Sequence, residues 1–194
     1  MKYIFKQSVI PVIYLLCSAM MGLGIMVLEE KFLILEVALN VVNLLGYSLI
    51  VCATSFKDGQ KALDLRETND KSREIIARTG ENLRLQTEEE FAVWKGFAYG
   101  AFACLPLVAL LLIHTIVFLS GGLNTVGMIA GILYMPVYSF FLLFGHATSY
   151  TYYFALLALP YISALTGISY WLGAKKAMLK YESIDQMRKS LHGE

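Results

Sequence analysis

The sequence predicts an all-α, polytopic helical integral membrane protein with a charged helical insert. Three observations carry this. Hydrophobic residues make up 57% of the 194 and charged residues only 16%, with a mean hydropathy of +0.59; soluble domains run near 45–50% and about 25%. The charges are segregated, and residues 96–174 contain no Lys, Arg, Asp or Glu. The apolar runs are continuous and lack the alternation of a barrel strand, so helix is the backbone form a bilayer core accepts. A net charge of +1 excludes the basic surface of a nucleic-acid binder.

Five apolar segments follow in order, at 8–28, 32–54, 97–119, 126–144 and 152–172. About 20 residues cross a bilayer. Lys2 and Lys6 precede the first segment as in a signal peptide. Its apolar run exceeds the usual length and no A-x-A site follows, so a retained helix is expected. The fourth segment is shorter and carries Pro136 near its middle.

Basic residues set orientation. Lys2 and Lys6 place the N-terminus in the cytoplasm, in what is expected to be the plasma membrane. The turn Glu29-Glu30-Lys31 is then outside, and the loop 56–95, with eight basic residues, is inside. Five crossings would leave Lys175, Lys176, Lys180, Arg188 and Lys189 outside. The favoured reading has four crossings and a re-entrant or interfacial fourth segment within 125–146. It turns near Tyr134-Met135-Pro136 and leaves near Gly145-His146. The alternative is five plain crossings with an exception at the tail. The divisions are a two-helix hairpin (1–55), a charged insert (56–95), a bundle (96–174) and a basic cytoplasmic tail (175–194). Trp94, Tyr150, Tyr152, Tyr153, Tyr170 and Trp171 fall at segment ends, where amphipathic rings favour the headgroup level.

In the insert, Asp58 is read as the cap of a helix that stops at Gly80. Arg66–Asp70 is an i,i+4 pair on it, a spacing that stabilises a solvated helix slightly. Thr87-Glu88-Glu89-Glu90 reads as a capping box that opens the helix into Trp94. Forty residues with few aliphatics do not build a core of their own. The insert is therefore a helical hairpin on the membrane surface or a docking element for a membrane or cytoplasmic protein. Its nearly balanced charge argues against a polybasic lipid patch.

Glu36, Asn40, Asn43 and Tyr47 are spaced 4, 3 and 4 and share one face of the second helix. Intramembrane carboxylates and amides face a bundle interior or a wet cavity, so this stripe is the first site candidate. The alternative is interhelical hydrogen bonding by the two asparagines, with Glu36 reaching the headgroups. His114 and His146 lie near the same membrane side as Glu36. The three form a candidate proton or metal site, because imidazole and carboxylate share zinc ligation, although no paired-His motif is present. No cofactor or metal is expected.

Cys17, Cys52 and Cys104 all lie in apolar segments and read as free thiols. Small residues recur four apart at Ser18/Gly22, Gly96/Gly100, Gly127/Gly131, Ser163/Gly167 and Ser169/Gly173, which allows close helix approach within a bundle or an oligomer. Pro106 and Pro160 are expected to kink the third and last helices. Asp58-Gly59-Gln60-Lys61-Ala62 resembles the start of the CDP-alcohol phosphotransferase signature. Leu63 then stands where that signature needs Arg, and the later Gly and Asp are out of place. Without a catalytic signature, the reading is a non-enzymatic subunit or accessory protein of a membrane complex. The alternatives are a small transporter or channel along Glu36, Asn40 and Asn43, and an intramembrane enzyme using Glu36 with His114 or His146.

Overall fold

The computed structural model describes residues 2–26, 33–80, 83–122, 125–134, 137 and 151–192. Every regular element among them is helical. In chain order they are α1 (Lys2–Met26), α2 (Leu33–Thr79), a 3-10 turn (Thr87–Glu89), α3 (Val93–Ala103), α4 (Leu105–Leu119), α5 (Thr125–Leu133), a 3-10 segment (Thr151–Leu157) and α6 (Ala158–His192). Four stretches of described helix are long and apolar enough to cross a membrane: Tyr3–Gly22, Val37–Thr79, Val93–Leu119 and Tyr152–Met187.

Their directions alternate. α1 runs against α2, since Ser18 meets Asn43 while Ile4 packs with Ala62. α3 and α4 run against α6: Gly96 lies on Tyr170, Gly100 on Ser163, and Thr115 bonds Tyr153. α2 and α6 run parallel, because Ser48 pairs with Tyr161, Phe56 with Gly173 and Asp64 with Tyr181. The ends of α2 and α6 therefore emerge together with the start of α1, and this is the charged end of the bundle.

The described part of the fourth apolar segment, Thr125–Leu133, runs only part of the way along the bundle. α5 starts at the opposite end, where Gly127 sits on the His114 ring. It descends beside α4 until the Tyr134 hydroxyl donates to the Ala103 carbonyl (2.8 Å). Thr151–Leu157 begins again at the opposite end, where Tyr153 meets Thr115. The chain thus makes no net passage between Ser120 and Thr151. Residues 138–150, with Gly145 and His146, lie outside the described residues.

Several boundaries differ from expectation. No helix starts at Asp58, because α2 is unbroken from Leu33 to Thr79. No proline or turn interrupts it, and a helix already under way needs no new cap. It stops as expected at Gly80, whose φ of +72° suits glycine and whose N–H reaches the Ile76 carbonyl (2.9 Å). The capping box does not form. Gln86 holds the cap position of a single 3-10 turn, and the Glu90 carboxylate is taken by Asn69 and Arg73 instead (both 2.7 Å). The next helix opens only at Val93, from extended Ala92.

Neither expected proline kink lies inside a helix. Pro106 falls in the first turn of α4, after a break at Cys104. Pro160 falls in the first turn of α6, which follows the 3-10 segment. In a first turn the missing N–H has no intrahelical partner to lose.

The small residues hold this bundle together. Gly96, Gly100 and Gly167 admit Tyr170, Ser163 and Phe97 at the α3–α6 seam, and Gly173 lies against the Phe56 carbonyl of α2. Gly59 completes that seam against the Tyr170 carbonyl. In an apolar solvent such close packing, rather than hydrophobic burial, drives helix association.

Candidate functional site

The polar face of α2 divides between structural and uncommitted groups. Asn43 is buried and spanned by Ser18: the Ser18 hydroxyl donates to Oδ1 (2.7 Å), and Nδ2 donates to the Ser18 carbonyl (3.0 Å). This fixes α1 on α2, and such interhelical bonds contribute about 0.6 kcal/mol each, up to about 1.7. Asn40 and Tyr47 are also buried. The Asn40 Oδ1 and the Tyr47 hydroxyl meet no hydrogen-bond partner among the described residues. The backbone of Glu36 is part of α2, but its side chain lies outside the described residues.

Tyr47 faces a cluster of helix interruptions. Cys104, at the α3–α4 break, and Tyr134, at the foot of α5, join it in one core with Val51, Leu107 and Ile162. Tyr161 lines the same core, its hydroxyl 2.6 Å from Ser48 Oγ. The α3–α4 break and the described end of α5 therefore meet around buried tyrosines.

Of the expected Glu36, His114 and His146 site, only the His114 side chain is among the described residues. His114 is fully buried among Tyr152, Tyr153 and Phe118, with ring centroids 5.5, 5.8 and 6.1 Å away. His146 lies outside the described residues. Among the described residues no three His, Cys, Asp or Glu side chains group as a metal site. The three cysteines are free, and only Cys104 is buried.

The charged end forms a second candidate. Past its apolar run, α2 continues about 37 Å to Thr79 at 1.5 Å per residue, and α6 continues beside it. The Tyr181 hydroxyl donates to Asp64 (2.8 Å), and Lys71 lies over the Tyr181 ring. Lys176 lies over Phe56, and Lys175 over Trp171. The loop after Gly80 folds back onto this pair. The Phe91 N–H reaches the Ala62 carbonyl (3.1 Å), and its ring stacks on Tyr170. Lys95 Nζ donates to the carbonyls of Glu88 and Glu90 (2.8 and 2.6 Å).

The predicted Arg66–Asp70 pair is present at 3.9 Å, joined by Arg73–Asp70 and Arg78–Glu74. These exposed pairs add little stability. Ile75, Ile184 and Met187 are exposed on this projection (46%, 47% and 64%), well beyond the apolar segments. The sequence reading treated the insert and the tail separately and missed this joint arm. The Ser169/Gly173 pair on α6, together with Gly59 on α2, is the sequence signal for it.

Comparison with protein-family models, with curated proteins and with solved structures finds no match to this chain.

Proposed function

We propose that this chain is a non-enzymatic accessory subunit of a membrane complex, presenting a rigid two-helix arm to a protein partner. In this reading the four long helices span the plasma membrane, and the first residues, the 56–95 insert and the 175–194 tail face the cytoplasm. The basic residues of all three lie at one end of the bundle, as the charge rule requires.

The observation that carries the reading is the arm. α2 and α6 run unbroken out of the apolar bundle, tied at Asp64–Tyr181. They expose Ile75, Ile184 and Met187 beyond the apolar segments. Apolar side chains set among charges on a rigid support suit a protein interface. The main polar feature inside the bundle, Asn43, is occupied in holding α1 to α2.

A second reading, a small transporter or channel, draws on the uncommitted Asn40 and Tyr47 beside the α3–α4 break, since broken helices mark transport sites. The test places a photo-crosslinking amino acid at Ile75, Ile184 or Leu112 in cells. Leu112 is an exposed control on α4. The accessory reading expects one discrete protein adduct from the arm positions, none from Leu112, and loss of the Ile75 adduct on Ile184→Lys with Met187→Lys. No arm adduct, with a phenotype abolished by Asn40→Leu at unchanged abundance, would favour transport.

A further inference from the structure

At the foot of the arm, a cleft of about 230 Å³ opens between α1, α2 and the Thr87–Glu89 turn. Lys6 lines it from α1, Asp58 and Lys61 from α2, and Glu89 from the turn, with Tyr3, Gln7 and the stem of Leu65 between them. Two cations and two anions thus face one small space. Among the described residues none of the four forms an ion pair within 4.0 Å. Elsewhere on the arm the opposite charges do pair, as at Arg73–Glu90. Burial also pushes the Asp58 carboxyl upward from its ordinary value, with Lys61 opposing the shift. A half-buried carboxylate without an ion pair gains from a cation brought to it.

The position of the cleft selects its ligand. Tyr3, Lys6 and Gln7 lie within two turns before the apolar run of α1, and Asp58 and Lys61 lie within two turns past that of α2. In the membrane reading on which this inference rests, that is the headgroup level. A ligand with one anion and one cation satisfies both pairs of charges at once, whereas a purely anionic ligand meets two carboxylates. A primary ammonium offers three N–H donors to Asp58 and Glu89, and a trimethylated one offers none. We propose that this cleft binds a phosphate joined to a primary ammonium, as in a phosphoethanolamine headgroup, with Lys6 and Lys61 on the phosphate and Asp58 and Glu89 on the ammonium.

The test reconstitutes the full chain in nanodiscs of equal phosphatidylethanolamine and phosphatidylcholine, re-extracts it mildly, and measures the retained lipids by mass spectrometry. A parallel titration uses soluble phosphoethanolamine. The proposal expects phosphatidylethanolamine retained about tenfold over phosphatidylcholine, the scale of one charge-assisted contact set. Asp58→Asn with Glu89→Gln should bring that ratio to near one. Lys6→Gln with Lys61→Gln should weaken retention while circular dichroism stays unchanged. Binding of soluble phosphoethanolamine without lipid enrichment would uphold the chemistry and assign the source to a free zwitterion. Equal retention of the two lipids together with no binding of phosphoethanolamine would overturn it. A chain that fails to enter nanodiscs instead refutes the membrane reading, and the soluble titration then decides the cleft by itself.

Discussion

Gly59→Leu and Gly173→Leu should each separate α2 from α6 and detach the arm from the bundle. The two glycines bring the helices into backbone contact. A Cβ at Gly59 collides with the Tyr170 carbonyl, and one at Gly173 with the Phe56 carbonyl. Neither obstacle is a side-chain tip that can swing away, so the helices themselves must part. Overpacking a seam costs about 1–3 kcal/mol where side chains adjust, and these contacts on backbone should lie at or above the top of that range. Gly46→Leu is the control, since nothing lies within 4 Å of a Cβ there. Thermal unfolding in detergent should fall clearly for the first two and little for the control. Limited proteolysis should release the arm from Gly59→Leu and Gly173→Leu alone.

Tyr134→Ala should free α5 from the bundle. Tyr134 is 2% exposed and packs against Tyr47, Cys104 and Leu107 in the central core. Its hydroxyl donates a hydrogen bond from this segment to the Ala103 carbonyl of α3. Truncating a buried aromatic costs about 3–5 kcal/mol, whereas Tyr134→Phe removes one neutral hydrogen bond, about 1 kcal/mol. The readout is Cys104, which is fully buried at the α3–α4 break. In a Cys17→Ser, Cys52→Ser background, Cys104 should become reactive to a small maleimide in Tyr134→Ala. It should stay protected in Tyr134→Phe. Equal protection in both would show that Tyr134 does not hold the segment.

The charge pattern made the architecture legible, and local signals misplaced its boundaries. The basic residues at Lys2, Lys6, in the insert and after Lys175 required one common end, and the alternating helices deliver it. The same requirement favours a re-entrant segment around Pro136 over a fifth crossing, and the described part of that segment, Thr125–Leu133, lies beside α4. The residue type of Asp58 favours a cap, but capping matters only where a helix must begin, and α2 is already propagating there. Spacing pairs Glu90 with Thr87, whereas Arg73 and Asn69, 17 and 21 residues away, compete for it and win.

Periodicity places Asn43 on one face with Asn40 and Tyr47, and all three are buried. It did not distinguish Asn43, which meets Ser18, from Asn40, whose Oδ1 meets nothing described. That distinction depends on which helix lies opposite each residue. The same holds for the arm. Gly59 stood in the sequence as part of a failed signature, and its role appears only when Tyr170 is brought against it from 111 positions away.

The account stands on four helices that cross, a fifth segment that does not, and an arm on the side of the N-terminus. Sidedness mapping in intact cells tests this most directly, with single cysteines at Gly80, Gly121 and Glu194 probed by an impermeant maleimide before and after lysis. The account predicts that Gly121 is labelled from outside, while Gly80 and Glu194 are labelled only after lysis. Labelling of Glu194 from outside with Gly80 protected would mean five crossings. It would place the two halves of the arm on opposite sides of the membrane and contradict the account at its base.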